Sequence, residues 1–124
     1  MAGILALDDV LDAVQLIKRI LERKGHEVSA FTEEEDALGH ARREEIDLAI
    51  LDIKLKKMSG IEVLAELKKI TPTLKTIMLT GYPTLETAHE SLQLGADDYC
   101  VKPIDGEELI DKVAGLMGHK AARQ

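Results

Sequence analysis

The segment Leu48-Ala49-Ile50-Leu51-Asp52 places four consecutive apolar residues directly before an acid. A short uninterrupted apolar run is typical of a strand that is buried on both faces, as in the middle of a parallel sheet. Asp52 would then lie at the carboxyl end of this strand. In open α/β sheets ligands bind at that edge, because side chains leaving the strand ends project into a crevice between loops. A single acid in this position is more often only a turn residue, so the interpretation depends on the other strands.

Three other apolar runs are followed by polar residues in the same way. They are residues 4–7 followed by Asp8 and Asp9, residues 76–79 followed by Thr80 and Gly81, and residues 99–101 followed by Lys102. If these runs are parallel neighbours, three carboxylates, a hydroxyl and an ammonium group meet at one edge of the sheet. Three carboxylates that share a site repel one another unless a cation neutralises them. The sequence therefore predicts a cation site at this edge.

The rest of the chain alternates helical and extended patterns. Strands are predicted at residues 4–7, 26–31, 48–52, 76–79 and 99–101, and helices at 10–24, 32–43, 61–70, 84–95 and 105–117. The first helix is expected to turn Val10, Ala13, Val14, Ile17, Ile20 and Leu21 inward and to end at Gly25. Capping boxes are predicted at Thr32 with Glu35 and at Asp105 with Glu108, and Thr84 as the cap of the fourth helix. Five alternating pairs predict a three-layer, doubly wound α/β domain with a five-stranded parallel sheet, but the pattern does not determine the strand order.

The length of 124 residues predicts one domain, with residues 1–118 folded and 119–124 as a tail or the start of a linker. The formal net charge is −7, which argues against direct nucleic-acid binding by this domain, because such binding needs a basic face. Apolar runs are too short to span a membrane, and the first strand follows Met1 too closely for a signal peptide. We therefore expect a cytoplasmic domain. Cys100, the single cysteine, is expected to be a small buried apolar residue.

Several dispersed motifs resemble the receiver domain of two-component response regulators. They are Asp8-Asp9 after the first strand, Asp52 after the third, Met58 and Gly60 beyond it, Thr80-Gly81 after the fourth, Gly95-Ala96-Asp97-Asp98-Tyr99 before the fifth, and Lys102-Pro103 after it. The likeness covers nearly the whole chain. It implies a flavodoxin-like fold with the strand order 2-1-3-4-5.

The resemblance also implies a role for each site residue. Asp52 would accept a phosphoryl group from a sensor histidine kinase, and Asp8, Asp9, Asp52 and the backbone carbonyl of Lys54 would hold Mg²⁺. A carboxylate is a suitable nucleophile for this step, and the remaining catalysis is positioning and charge neutralisation. Lys102 and Thr80 would bind the phosphoryl oxygens. Tyr99 would follow Thr80 inward and change the surface made by the predicted fourth helix, fifth strand and fifth helix.

The implied function is a phosphorylation-dependent signalling switch, not an enzyme beyond its own phosphorylation and slow dephosphorylation. Its partners would be the kinase and an output domain or downstream protein, such as a regulator of transcription, and a homodimer could form through the switch surface. Departures from the family pattern bear on the lifetime of the phosphorylated state. Lys56 replaces the usual proline, Gly81 replaces a commoner alanine and leaves a more open loop, and the side chain of Lys54 could face a kinase or phosphatase.

Three alternatives differ in how the acidic edge would be used. A haloacid-dehalogenase-type phosphatase needs a second acid two residues after its nucleophile, where this chain has Lys54. A flavodoxin needs a hydroxyl-rich phosphate loop after its first strand, where Asp8 and Asp9 would repel a phosphate. A receiver-like interaction module that works without phosphorylation is the strongest alternative, because it differs only in whether the intact site is used.

Overall fold

The structure is a computed structural model, and it describes residues 3–55, 59–81, 89, 92–93 and 95–118. Five parallel strands form one sheet: β1 (Gly3–Leu7), β2 (Glu27–Phe31), β3 (Leu48–Asp52), β4 (Lys75–Thr80) and β5 (Asp98–Val101). Their order is β2-β1-β3-β4-β5. The predicted doubly wound α/β fold and the strand order implied by the resemblance are both confirmed.

The helices cover both faces of this sheet. They are α1 (Leu11–Glu22), α2 (Glu34–Arg43), α3 (Gly60–Ile70) and a C-terminal helix (Gly106–Val113), which continues into a π-helical turn (Ala114–Gly118). Most of the predicted fourth helix, including its proposed cap Thr84, lies outside the described residues. Within the part of the chain that the structure describes, no helix has the length and apolar character needed to cross a membrane.

The core consists of two apolar clusters that lie on opposite faces of the sheet. Side chains alternate along a strand, so Leu5, Ala49 and Leu51 pack with α2 and α3 in one cluster. Ile4, Leu48 and Ile50 pack with α1 and the C-terminal helix in the other. All five residues of β3 are buried, as expected for a central strand. Asp52, the last of them, therefore lies at the carboxyl end of a fully buried strand.

The start of α1 differs from the prediction. Val10 is the extended N-cap residue and is 54% exposed, so its predicted inward position is wrong. The side chain of Asp8 accepts a hydrogen bond from the backbone N–H of Val10 at 2.9 Å. This contact turns the chain outward between β1 and α1, and the apolar face of the helix begins only after it. Val14, Ile17 and Leu21 are buried as predicted.

The predicted caps of the later helices have mixed outcomes. The Thr32 and Glu35 capping box is wrong, because the extended chain continues through Glu33, which is the N-cap and makes no side-chain cap bond. The Asp105 cap is confirmed, since its carboxylate accepts from the backbone N–H groups of Glu107 and Glu108. A capping box between Ser59 and Glu62 opens α3, and sequence reasoning missed it. Gly25 ends α1 with a φ of +89°, as predicted.

Candidate functional site

The polar residues that follow the strands meet at the carboxyl edge of the sheet. Asp8 follows β1, Asp52 ends β3, Thr80 ends β4 and Lys102 follows β5. These four strands are parallel neighbours, so their ends lie side by side. Thr80 is buried, and its carbonyl oxygen accepts a hydrogen bond from the backbone N–H of Lys102 at 2.7 Å.

Three acids form a cluster at this edge. Asp8, Asp9 and Asp52 each offer one carboxylate oxygen, and these oxygens all lie within 4.8 Å of one another. Asp8 is fully buried, Asp52 is 5% exposed and Asp9 is partly exposed. Hard oxygen ligands with one side open to water suit Mg²⁺, which retains several water ligands. The predicted cation cluster is therefore assembled, and its donor set fits this ion.

The ammonium group of Lys102 lies between two of these acids. Its Nζ is 2.8 Å from Oδ2 of Asp8 and 3.2 Å from Oδ2 of Asp52. Both carboxylates are almost completely buried, so the contacts are screened little by water. Among the described residues, the Lys102 ammonium thus partly neutralises three acids, and this set of four groups keeps a net negative charge that favours a divalent ion.

The pKa values in the cluster follow from burial and this charge balance. Burial raises the pKa of Asp52, the charge of Asp8 raises it further, and Lys102 opposes both effects only in part. Burial alone would lower the pKa of Lys102, but its hydrogen bond to Asp8 and the charge of Asp52 outweigh burial and raise it. Lys102 is therefore a permanent cation, whereas ionised Asp52 is stabilised further by any additional positive charge.

Backbone contacts orient the carboxylate of Asp52. Its Oδ1 accepts a hydrogen bond from the backbone N–H of Lys54 at 3.2 Å, while its Oδ2 contacts Lys102. Sequence reasoning assigned Lys54 a carbonyl contact to the metal, which stays a prediction, and missed this N–H contact. A short polar residue followed two positions later by an available N–H is a turn signal that could have indicated it.

The first residue of α3 packs directly against the backbone of Asp52. The N–H of Gly60 donates to the carbonyl oxygen of Ile53 at 2.8 Å. A Cβ atom on Gly60 would lie 2.1 Å from the carbonyl oxygen of Asp52. Only glycine allows this approach, so Gly60 sets the distance between α3 and the site.

The predicted switch residues occupy different environments. Tyr99 lies on β5 with 39% of its surface exposed, whereas Thr80 is buried. Apart from its neighbours in the chain, no atom of the described residues lies within 4 Å of a Cβ built on Gly81. Lys56 and Met58 lie outside the described residues.

Comparison with known proteins establishes the family. The model of the response regulator receiver domain matches residues 4–114, and the chain belongs to this family. It is 33% identical over 118 residues to sporulation initiation phosphotransferase F of Bacillus subtilis, covering 95% of each protein. It is also 31% identical over 116 residues to the transcriptional regulatory protein ZraR of Salmonella typhimurium. That match covers 94% of this chain but spans only about a quarter, 26%, of ZraR.

A solved structure supports the same assignment. The receiver domain protein of Methanospirillum hungatei JF-1, described as CheY-like, has a TM-score of 0.91 and 35% sequence identity to this chain. The match covers 100% of this chain and 99% of that one. The chain is a receiver domain, and its general role is that of a signalling switch in a two-component system.

Proposed function

We propose that Asp52 is the phosphoacceptor of this receiver domain and that a sensor histidine kinase is the donor. The observation that carries the proposal is the position of the Asp52 carboxylate, which contacts the ammonium of Lys102 and clusters with the carboxylates of Asp8 and Asp9. A buried carboxylate beside a permanent cation and a cation-binding cluster has what phosphoryl transfer requires, namely a nucleophile and means of neutralising charge.

The chain's own residues have separate tasks in this reaction. An oxygen of Asp52 attacks phosphorus, and the bond from phosphorus to the donor breaks with its electron pair leaving on the donor. Lys102 then pairs with the phosphoryl oxygens, and the hydroxyl of Thr80 donates to one of them. Asp8, Asp9, Asp52 and the Lys54 carbonyl would hold Mg²⁺. When bound, this ion offsets the negative charge that develops on the phosphoryl group.

The added phosphoryl charge would drive the switch. Phosphorylation adds roughly −1.5 to −2 charges and three acceptor oxygens, which attract Thr80 towards the site and allow Tyr99 to follow it. The output surface in this proposal comprises β5, the C-terminal helix and the predicted fourth helix. A second copy of the chain, forming a homodimer, or an output domain would bind to this surface. By similarity to the transcriptional regulatory protein ZraR, we propose that the output controls transcription.

Intact mass after incubation with acetyl phosphate tests the phosphoacceptor. We expect a gain of one phosphoryl group that requires Mg²⁺ and is absent in Asp52→Asn. Asp47→Asn is the matched control. Asp47 precedes β3, at the end of the sheet opposite the acidic cluster, and its carboxylate accepts a hydrogen bond from the backbone N–H of Gly3. This control should be phosphorylated like the wild type.

Two results would contradict the proposal. Phosphorylation of Asp52→Asn would place the phosphoryl group on another residue. Failure of the wild type with acetyl phosphate and with a panel of histidine kinases would instead favour an interaction module that works without phosphorylation.

A further inference from the structure

A charged pair outside the sheet binds both backbone polar groups of Tyr99. β5 is an edge strand, so one of its sides has no neighbouring strand. The N–H of Tyr99 donates to Oδ1 of Asp98 at 2.8 Å, and its carbonyl oxygen accepts from Nζ of Lys112 at 2.6 Å. Nζ of Lys112 also lies 3.2 Å from Oδ1 of Asp98. These contacts close a ring of polar groups around the Tyr99 backbone.

The same ammonium group faces the aromatic ring. Nζ of Lys112 lies 5.8 Å from the centroid of the Tyr99 ring, within the range of a cation–π contact. The Lys112 side chain is only 25% exposed, and it also lies 3.4 Å from Glu108 in the preceding helical turn. Burial alone would lower the pKa of Lys112, but its hydrogen bond to Asp98 and the negative charge around it together outweigh burial and raise it, so the group stays charged.

We infer that Lys112 is a positioning residue that holds Tyr99 in its outward, half-exposed position and so opposes activation of the switch. The inference rests on the proposed function, in which Tyr99 moves inward once Asp52 is phosphorylated. Three oxygen atoms anchor the ammonium group, from Tyr99, Asp98 and Glu108, so it does not follow the ring.

The contact with the ring therefore exists in only one of the two states. A contact that differs between two states shifts their equilibrium by its own free energy. The backbone contact of Lys112, in contrast, can persist in both states and has no such effect. Removing the ammonium should make the inward position of Tyr99 more accessible.

The test measures the affinity of beryllofluoride, a phosphoryl mimic, at a fixed Mg²⁺ concentration. Titrations follow the Tyr99 ring resonances by NMR in a Tyr82→Phe background, where Tyr99 is the single tyrosine. Lys112→Met should bind beryllofluoride about three-fold tighter than the parent, the ratio expected for loss of one weak cation–π contact. Without beryllofluoride, Lys112→Met should already show Tyr99 ring resonances that are displaced towards those of the beryllofluoride-bound parent.

Two controls separate this effect from charge and from general packing. Lys112→Arg keeps a cation and its hydrogen-bond donors and should restore the parent affinity. Lys69→Met removes the same charge from a side chain that is 73% exposed and pairs only with Glu66 among the contacts described, and it should leave the affinity unchanged. If Lys112→Met does not fold, Asp98→Asn serves instead, because it removes one anchor of the ammonium and should shift affinity in the same direction.

Several outcomes would overturn the inference. Unchanged or weaker binding by Lys112→Met would show that Lys112 does not oppose activation. An equal gain in Lys69→Met would attribute the effect to bulk charge. If the parent itself does not bind beryllofluoride, the proposed function fails, whereas normal binding by the parent without an effect of Lys112 contradicts only this inference.

Discussion

At the scale of single residues, the burial of carboxylates that the proposed function requires also lowers the stability of the fold. Asp8 and Asp52 are buried side by side and share the one ammonium group of Lys102. Burial and the charge of Asp8 raise the pKa of Asp52, which means that folding disfavours its ionised form. The carboxylate that we propose as the nucleophile is thus less stable in the folded chain than in water when no further cation is present.

Asp52→Asn should therefore increase the free energy of unfolding at pH 7 in the absence of Mg²⁺. A carboxyl group with a raised folded-state pKa lowers stability at neutral pH. This penalty shrinks as the pH falls through the folded-state pKa and vanishes only below the unfolded-state pKa of about 4, where the group becomes protonated in both states. Urea unfolding of the variant and the wild type between pH 4 and 7 measures the difference.

Mg²⁺ provides the control for this prediction. Saturating Mg²⁺ should stabilise the wild type more than Asp52→Asn, because the variant lacks one of the three carboxylates that would hold the ion. Asp47→Asn, which leaves the acidic cluster intact, should be stabilised by Mg²⁺ as much as the wild type. A variant that is less stable than the wild type at pH 7 without Mg²⁺ would show that the pair with Lys102 outweighs burial.

At the scale of secondary-structure elements, the start of α3 controls the position of the Asp52 backbone. Ser59 and Glu62 form a capping box, which fixes the first turn of the helix. Gly60 then contacts the peptide group that joins Asp52 and Ile53. The helix therefore supports the site through its backbone, without contributing a charged side chain to the acidic cluster.

Gly60→Ala should destabilise the domain by about 3 kcal/mol, the upper range for adding a methyl group to a packed interior. The added Cβ would meet backbone, which cannot rotate away as a side chain can. Thermal or urea unfolding measures the loss, and phosphorylation by acetyl phosphate should slow because Asp52 is displaced.

Gly115→Ala is the matched control for this substitution. Apart from its chain neighbours and the backbone of its own helix, no atom of the described residues lies within 4 Å of a Cβ at Gly115, and the residue is helical. Alanine there should be neutral or stabilising by up to about 1 kcal/mol. Equal losses in the two variants would refute the role given to Gly60.

At the scale of the whole molecule, the two apolar clusters share one sheet. Leu64 of α3 lies in the cluster with Leu5 and Leu51, and Leu109 of the C-terminal helix lies in the cluster with Ile4 and Ile50. β1, β3 and β4 each contribute alternate side chains to both clusters, so neither face can lose its packing without exposing the other side of the same strands.

Leu64→Ala and Leu109→Ala should each lower the free energy of unfolding by about 2–5 kcal/mol, the range for a fully buried leucine. Both side chains are 0% exposed. Because the sheet couples the two faces, both variants should unfold in one transition with the m-value of the wild type. Urea unfolding followed by circular dichroism checks this, and a second transition in either variant would show that the faces unfold independently.

The amino-acid pattern was sufficient to predict the type and position of most helices and strands and the polar residues that meet at the acidic edge of the sheet. Apolar runs such as residues 48–51 are local signals, and parallel strands bring their carboxyl ends together whatever their order. Asp8, Asp9, Asp52 and Lys102 could therefore be named as neighbours from their positions after strands. Local capping signals were less reliable, as the N-cap at Glu33 in place of Thr32 shows.

The partner of each polar group, in contrast, follows from the three-dimensional packing of the chain. The sharing of Lys102 between Asp8 and Asp52, the contact of Gly60 with Asp52 and the binding of Tyr99 by Lys112 each join segments that meet only after the chain has folded. The spacing of apolar residues along the chain indicates which face of a helix or strand is buried. It carries no information on which other segment packs against that face. Distances between distant segments depend on strand register and helix placement, which the packing of the whole core sets.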